Sequence, residues 1–95
     1  MTNAEMAVIF SDIAEILKLK KENIFKIRAY QEVAHSLIEL QEPVEILAAG
    51  NRLKEIPGAG EAIIKKINEM VTTGRLAFYD KLKAEFPGRD AVNGQ

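Results

Sequence analysis

The stretch Leu53-Lys54-Glu55-Ile56-Pro57-Gly58-Ala59-Gly60-Glu61-Ala62-Ile63-Ile64-Lys65-Lys66-Ile67 leaves the chain little freedom at its middle. A short apolar segment, Val44 to Ala49, precedes it and meets Gly50, a natural helix stop. A longer helical pattern, Glu61 to Thr73, follows it and ends at Gly74. Between the two, Pro57-Gly58-Ala59-Gly60 imposes a tight reversal, because glycine accepts backbone angles closed to other residues. The reversal opens straight into a helix N-terminus, where unpaired N–H groups and the positive dipole end point the same way. Such a bend offers an anion site made of backbone, suited to a phosphate. The plainer alternative is a tight turn between two helices with no ligand.

The rest of the chain reads as helix throughout. Thr2-Asn3-Ala4-Glu5 has capping-box spacing, and Met6, Ile9, Phe10, Ile13, Ile16 and Leu17 recur behind it as one apolar stripe. Asn23 caps a second helix carrying Ile27, Tyr30, Val33, Ala34, Leu37 and Ile38 on one side. Pro43 is expected in the first turn of a short third helix. Leu76, Phe78, Tyr79, Leu82 and Phe86 suggest a fifth helix stopped by Pro87-Gly88, and Arg89 to Gln95 reads as a disordered tail. No segment alternates as a strand does, so the expected fold is all-α: a single-core bundle of about five helices spanning 1–88.

Charge limits what this bundle can do. The net charge is −1, whereas a tight autonomous duplex binder is normally basic. The charges are uneven, however. Lys18, Lys20, Lys21, Lys26 and Arg28 face only Glu22 in their stretch, and Arg52, Lys54, Lys65 and Lys66 outnumber Glu55 and Glu61. Acids gather from Glu32 to Glu45. Lys18, Lys20 and Lys21 fit a solvated loop as well as a nucleic-acid contact. With no cysteine, disulfide scaffolds and cysteine-based zinc or redox sites are excluded. A polar N-terminus and the lack of a long apolar run point to a cytoplasmic protein, expected to be monomeric, with no membrane partner. His35 sits at a stripe boundary, and Asp12 with Glu15 and Asp80 with Glu85 lack metal-site spacing.

The pattern Ile56-Pro57-Gly58-x-Gly60, with Ile63 and Ile67 following, resembles the helix-hairpin-helix motif, here placed at 44–73. Ala59 is smaller than the usual branched residue and Ile64 bulkier than the usual alanine, a volume exchange that cores tolerate. A second signature, Glu22-Asn23-Ile24-Phe25-Lys26-Ile27-Arg28-Ala29-Tyr30, precedes it, and Thr72-Thr73-Gly74-Arg75-Leu76 follows. Together they resemble the N-terminal domain of the DNA polymerase beta-like family X DNA polymerases, closest to the bacterial and archaeal branch. The likeness runs over about residues 5–87. Nothing corresponds to the paired metal-binding aspartates of that family's nucleotidyl-transfer domains. The resemblance therefore implies a DNA repair module that grips the 5′-phosphate side of gapped or nicked DNA. The remaining domains of a larger polymerase are the implied protein partners.

The same resemblance implies roles for particular residues. Lys66 aligns with a Schiff-base lysine that removes a 5′-deoxyribose phosphate: its amine attacks C1′, the imine acidifies the C2′ proton, and β-elimination expels the phosphate. Lys54, Lys26 and Tyr30 align with the phosphate pocket, and Pro57, Gly58, Ala59 and Gly60 form the hairpin. A monovalent cation, Na+ or K+, is implied at the backbone of Ile56 and Gly58. Ala62 stands where the animal enzyme has a phosphate-binding lysine, and Phe25 where a histidine stacks on a base. An aromatic face still allows stacking at Phe25.

Helical geometry separates the two neighbouring lysines. At roughly 100° per residue, Lys66 borders the stripe of Ile63, Ile67, Met70 and Val71, while Lys65 lies nearly opposite it. Lys65 is thus a solvated candidate for backbone contact, and Lys66 the candidate nucleophile. Lys66 as a lysine lying along apolar surface without chemistry remains the alternative, as does Tyr30 as a core residue. Three readings stay open: a DNA-binding module, a 5′-deoxyribose phosphate lyase, and a helical protein-interaction domain.

Overall fold

Thr2 starts the first helix by a reciprocal pair of hydrogen bonds. The Glu5 N–H donates to Thr2 Oγ1 at 3.0 Å, and the Thr2 N–H donates to Glu5 Oε1 at 2.7 Å. In the computed structural model, which describes residues 1–86, this helix is α1 (Asn3–Leu19). It is followed by α2 (Ile24–Glu39), α3 (Val44–Ala49), a 3-10 turn (Leu53–Glu55), α4 (Glu61–Thr73) and α5 (Ala77–Glu85). No strand occurs among the described residues, so the all-α expectation holds. The expected stop at Pro87-Gly88 and the tail from Arg89 lie outside them.

Local chemistry explains most boundaries. Asn23 Oδ1 accepts from the Phe25 N–H at 2.7 Å and opens α2. The turn before it closes through Lys21, whose φ of 56° is left-handed. After α3 the left-handed residue is Asn51, at φ 56°, while the expected stop Gly50 keeps an ordinary φ of −89°. Asparagine tolerates that region because its short amide satisfies local backbone groups. Pro43 stands one residue outside α3, as its cap. The missing side-chain cap is supplied from afar: Asn3 Oδ1 accepts from the Val44 N–H at 2.9 Å, and Asn3 Nδ2 donates to the Glu42 carbonyl at 2.8 Å. The start of α1 thereby fixes the start of α3.

The five helices share one core. Phe10, Ile13 and Ile16 of α1 pack with Val33 and Leu37 of α2, with Leu47 of α3 and with Ile67 and Met70 of α4. Leu76 and Leu82 fasten α5 to it. Every buried side chain among the described residues belongs to this apolar cluster. Of the sequence stripes, Ile38 is 69% exposed, and Ile9, Val71, Phe78, Tyr79 and Phe86 are only partly buried against the rim. Ile38 is the last apolar residue of α2 and lies on its exposed side. Tyr30 is buried, between Phe10 at 5.9 Å and Phe78 at 6.3 Å centroid to centroid, both stacked. This file of rings runs from α1 through α2 to α5 and ends beneath the hairpin.

Candidate nucleic-acid interface

The bend between α3 and α4 is built by residue type. The Ala59 N–H donates to the Ile56 carbonyl at 3.0 Å, closing a turn with Pro57 and Gly58 at its centre. Gly58 has φ +86°, the value that a type II turn requires at its third position, while proline supplies the second. A Cβ on Gly58 would stand 2.8 Å from Glu32 Cγ, so a side chain there is strained by the backbone angle and must displace Glu32. Ser36 Oγ donates to the Pro57 carbonyl at 2.8 Å and straps the bend to α2.

The fate of each amide decides what the bend can hold. The Ala59 N–H is spent on Ile56, and the Gly60 N–H donates to the Gly58 carbonyl at 3.1 Å. Those two residues therefore contribute shape rather than open donors. Helix α4 begins with Gly60 as a cap without a side-chain hydrogen bond, and its first carbonyl bond is Ile64 N–H to Gly60 at 2.9 Å. Glu61, Ala62 and Ile63 are left with N–H groups that no described residue accepts. The Gly58 N–H likewise meets no acceptor among the described residues, so the open donors are one amide of the bend and three of the first turn of α4.

Those three residues line a cavity of about 540 Å³. Lys26 and Tyr30 from α2, Gly58 and Gly60 from the hairpin, and Lys66 from α4 line the same cavity. Phe78 forms its α5 wall, and Lys66 Nζ stands 4.8 Å above the Phe78 ring centroid. A ring face attracts an ammonium, so Lys66 is positioned as well as present. Burial pushes the Tyr30 phenol above its ordinary range and keeps it protonated as a donor. Glu22 and Glu61 also line the cavity, so its charge is mixed.

Other candidates are placed elsewhere. Lys54 lies in a separate groove with Asn51, Ile64 and Asn68. Lys65 is exposed, and Phe25 is 74% exposed and outside the cavity, as a stacking platform must be. Phe78 and Lys20 are among the lining residues that sequence reasoning did not assign to the site. Phe78 was assigned only to the core stripe, and its reach across to Lys66 needs the α4–α5 corner. Lys20 lines the cavity while its Nζ bonds Glu85 Oε1 at 3.0 Å, a pairing across 65 positions that no local pattern announces. Among the described residues no group of three His, Cys, Asp or Glu could hold a metal ion. The Ile56 and Gly58 carbonyls each accept one hairpin N–H and keep a second lone pair, so the implied monovalent cation fits that donor chemistry in part.

The chain is thus an all-helical domain with a glycine-shaped bend, an open helix N-terminus and flanking lysines. A family model described as a helix-hairpin-helix domain matches residues 1–76, and the chain belongs to that family. Helix-hairpin-helix domains are generally associated with DNA binding. The match covers the hairpin and ends at Leu76, the residue that leads into α5. No helix among the described residues is long and apolar enough to cross a membrane.

Proposed function

We propose that this domain binds the 5′-phosphate side of gapped or nicked DNA, recognising structure rather than sequence. One observation carries the reading: Lys26, Lys66 and the open N–H groups of Glu61, Ala62 and Ile63 line a single concave cavity. A terminal phosphate carries more charge than a diester and can enter a cavity, whereas an internal phosphate is held on a rod by its neighbours. Two lysines and a helix N-terminus supply charge-assisted hydrogen bonds without any base-reading helix. The net charge of −1 implies modest affinity that falls with salt. Titration with gapped duplex bearing 5′-phosphate or 5′-hydroxyl, and with intact duplex, tests the reading. Preference for the phosphorylated gap supports it; equal binding to all three overturns it.

A second reading rests on Lys66 itself. Its amine lines the cavity that would hold a 5′-deoxyribose phosphate, half-buried against Phe78. Attack on the C1′ aldehyde with loss of water gives an imine. Removal of the C2′ proton then breaks the C3′–O3′ bond, leaving a 5′-phosphate on the DNA. Ala62, which supplies no cation, weighs against full activity. Borohydride trapping decides it: an adduct abolished in Lys66→Ala and retained in Lys65→Ala supports the lyase, and no adduct in the parent chain excludes it.

A further inference from the structure

Glu32 stands at the boundary between two unlike sides of the hairpin. Its Cγ and Cδ lie 2.8 and 2.9 Å from where a Cβ on Gly58 would be, so its carboxylate end lies against the outer face of the bend. It forms no ion pair or hydrogen bond among the described residues. On one side of it, Ala29 and Gly58 lead into the lysine-bearing cavity. On the other, Ser36 and Pro57 lead into a groove walled by Glu39, Glu42 and Glu55. Arg52 bonds both Glu42 and Glu55 and so offsets part of that acidity, but Glu32 keeps its charge uncompensated.

Resting on the proposed DNA-end reading, we infer that Glu32 is a specificity determinant that denies the hairpin to continuous strands. A strand end stops in the cavity beside Lys26 and Lys66. A continuous strand must run on across the bend, and there its next phosphates meet the Glu32 carboxylate and the acidic groove behind it. Like charges a few ångströms apart at a protein surface repel appreciably, and salt screens the effect. The carboxylate thus costs little to a terminal phosphate and more to an uninterrupted backbone. Glycine at position 58 lets α2 bring this charge so close.

Glu32→Gln tests the inference, because it removes the charge and nearly keeps the shape. Binding is measured at about 50 mM salt, where surface charge is little screened, with 5′-phosphorylated gapped duplex and with intact duplex. Glu32→Gln should tighten intact duplex ~3- to 10-fold and the gapped end less than ~2-fold, the scale of one surface charge. Glu45→Gln, an equal charge change on exposed α3, should leave the ratio of the two affinities unaltered. Should Glu45→Gln shift that ratio as much, net charge and not position would be responsible, and the inference would fall. A parent chain that prefers the gapped end, with a ratio unmoved by Glu32→Gln, overturns the inference alone. A parent chain with no such preference overturns the DNA-end reading first. Matched melting curves for parent and variants establish that folding is unchanged.

Discussion

Lys66 Nζ rests 4.8 Å above the centroid of the Phe78 ring, so an amine of α4 is held in place by a side chain of α5. The ring is itself stacked on Tyr30, and Tyr30 on Phe10. The Lys66 edge of the cavity is therefore the end of a file of rings rooted in the core. Replacing Phe78 by leucine removes one stacked pair and the surface beneath the ammonium. A loss of about 1 kcal/mol is expected, lowering the melting temperature by about 4–8 °C in a domain of this size. Binding of a phosphorylated gap should also weaken ~2- to 5-fold as Lys66 loses its support. Thermal melts and titration check the two effects separately.

The two hairpin glycines should behave differently. Gly58→Ala places a side chain at φ +86° and against Glu32, and should cost about 1–3 kcal/mol. Gly60 has φ −76° and nothing within 4 Å of a built Cβ. There, alanine is a poorer helix cap but loses less entropy on folding, and the balance should fall within about 0.5 kcal/mol of zero. Urea unfolding of the pair measures the contrast. Equal losses at both positions would mean that the bend is tighter at Gly60 than its geometry indicates.

Much of this could be read from the chain because the relevant forces are local. Thr2 with Glu5, and Asn23, announce helix starts through bonds spanning two or three residues. Pro57-Gly58 announces its turn through dihedral limits alone. What escaped were interactions between distant positions. Asn3 capping α3, Lys20 meeting Glu85 and Phe78 reaching Lys66 join elements whose approach is set by the packed core. The sequence identifies donors near the bend, but only the folded backbone shows Ala59 and Gly60 turning theirs inward. Lys54 was assigned to the pocket by the family resemblance, and lies in the groove beside Ile64.

Acid should weaken the start of helix α1. The Thr2 backbone and hydroxyl hold the Glu5 carboxyl below its usual range. A group whose folded pKa is depressed contributes stability above its unfolded pKa and loses it as pH falls through the folded value. The capping contribution is therefore intact at neutral pH and disappears below the ordinary carboxylate range. NMR titration of Glu5 should show a midpoint under 4.5, the unperturbed value. In Thr2→Ala the backbone donor remains while the hydroxyl contact goes, so the midpoint should move part of the way back.

Charge deletions should separate lysines that face the cavity from lysines that merely lie near it. Each cation that neutralises a DNA phosphate contributes about 0.7–0.9 to the slope of log affinity against log salt. Lys26→Ala and Lys66→Ala should each lower that slope by nearly one such unit for a phosphorylated gap, because both side chains line the cavity. They should also erode the preference for 5′-phosphate over 5′-hydroxyl. Lys54→Ala and Lys65→Ala can reduce general attraction but should leave that preference standing, since neither lines the cavity. Lys20→Ala is the sharper case. Its amine already bonds Glu85, so removing it frees a carboxylate near the cavity mouth as well as deleting a cation. Its effect on preference should therefore exceed that of Lys54→Ala, and Lys20→Ala with Glu85→Gln should recover part of the loss. Should Lys54→Ala instead prove the most damaging single change, the phosphate would have to lie on the Ile64 side of α4, away from the ring-supported lysine.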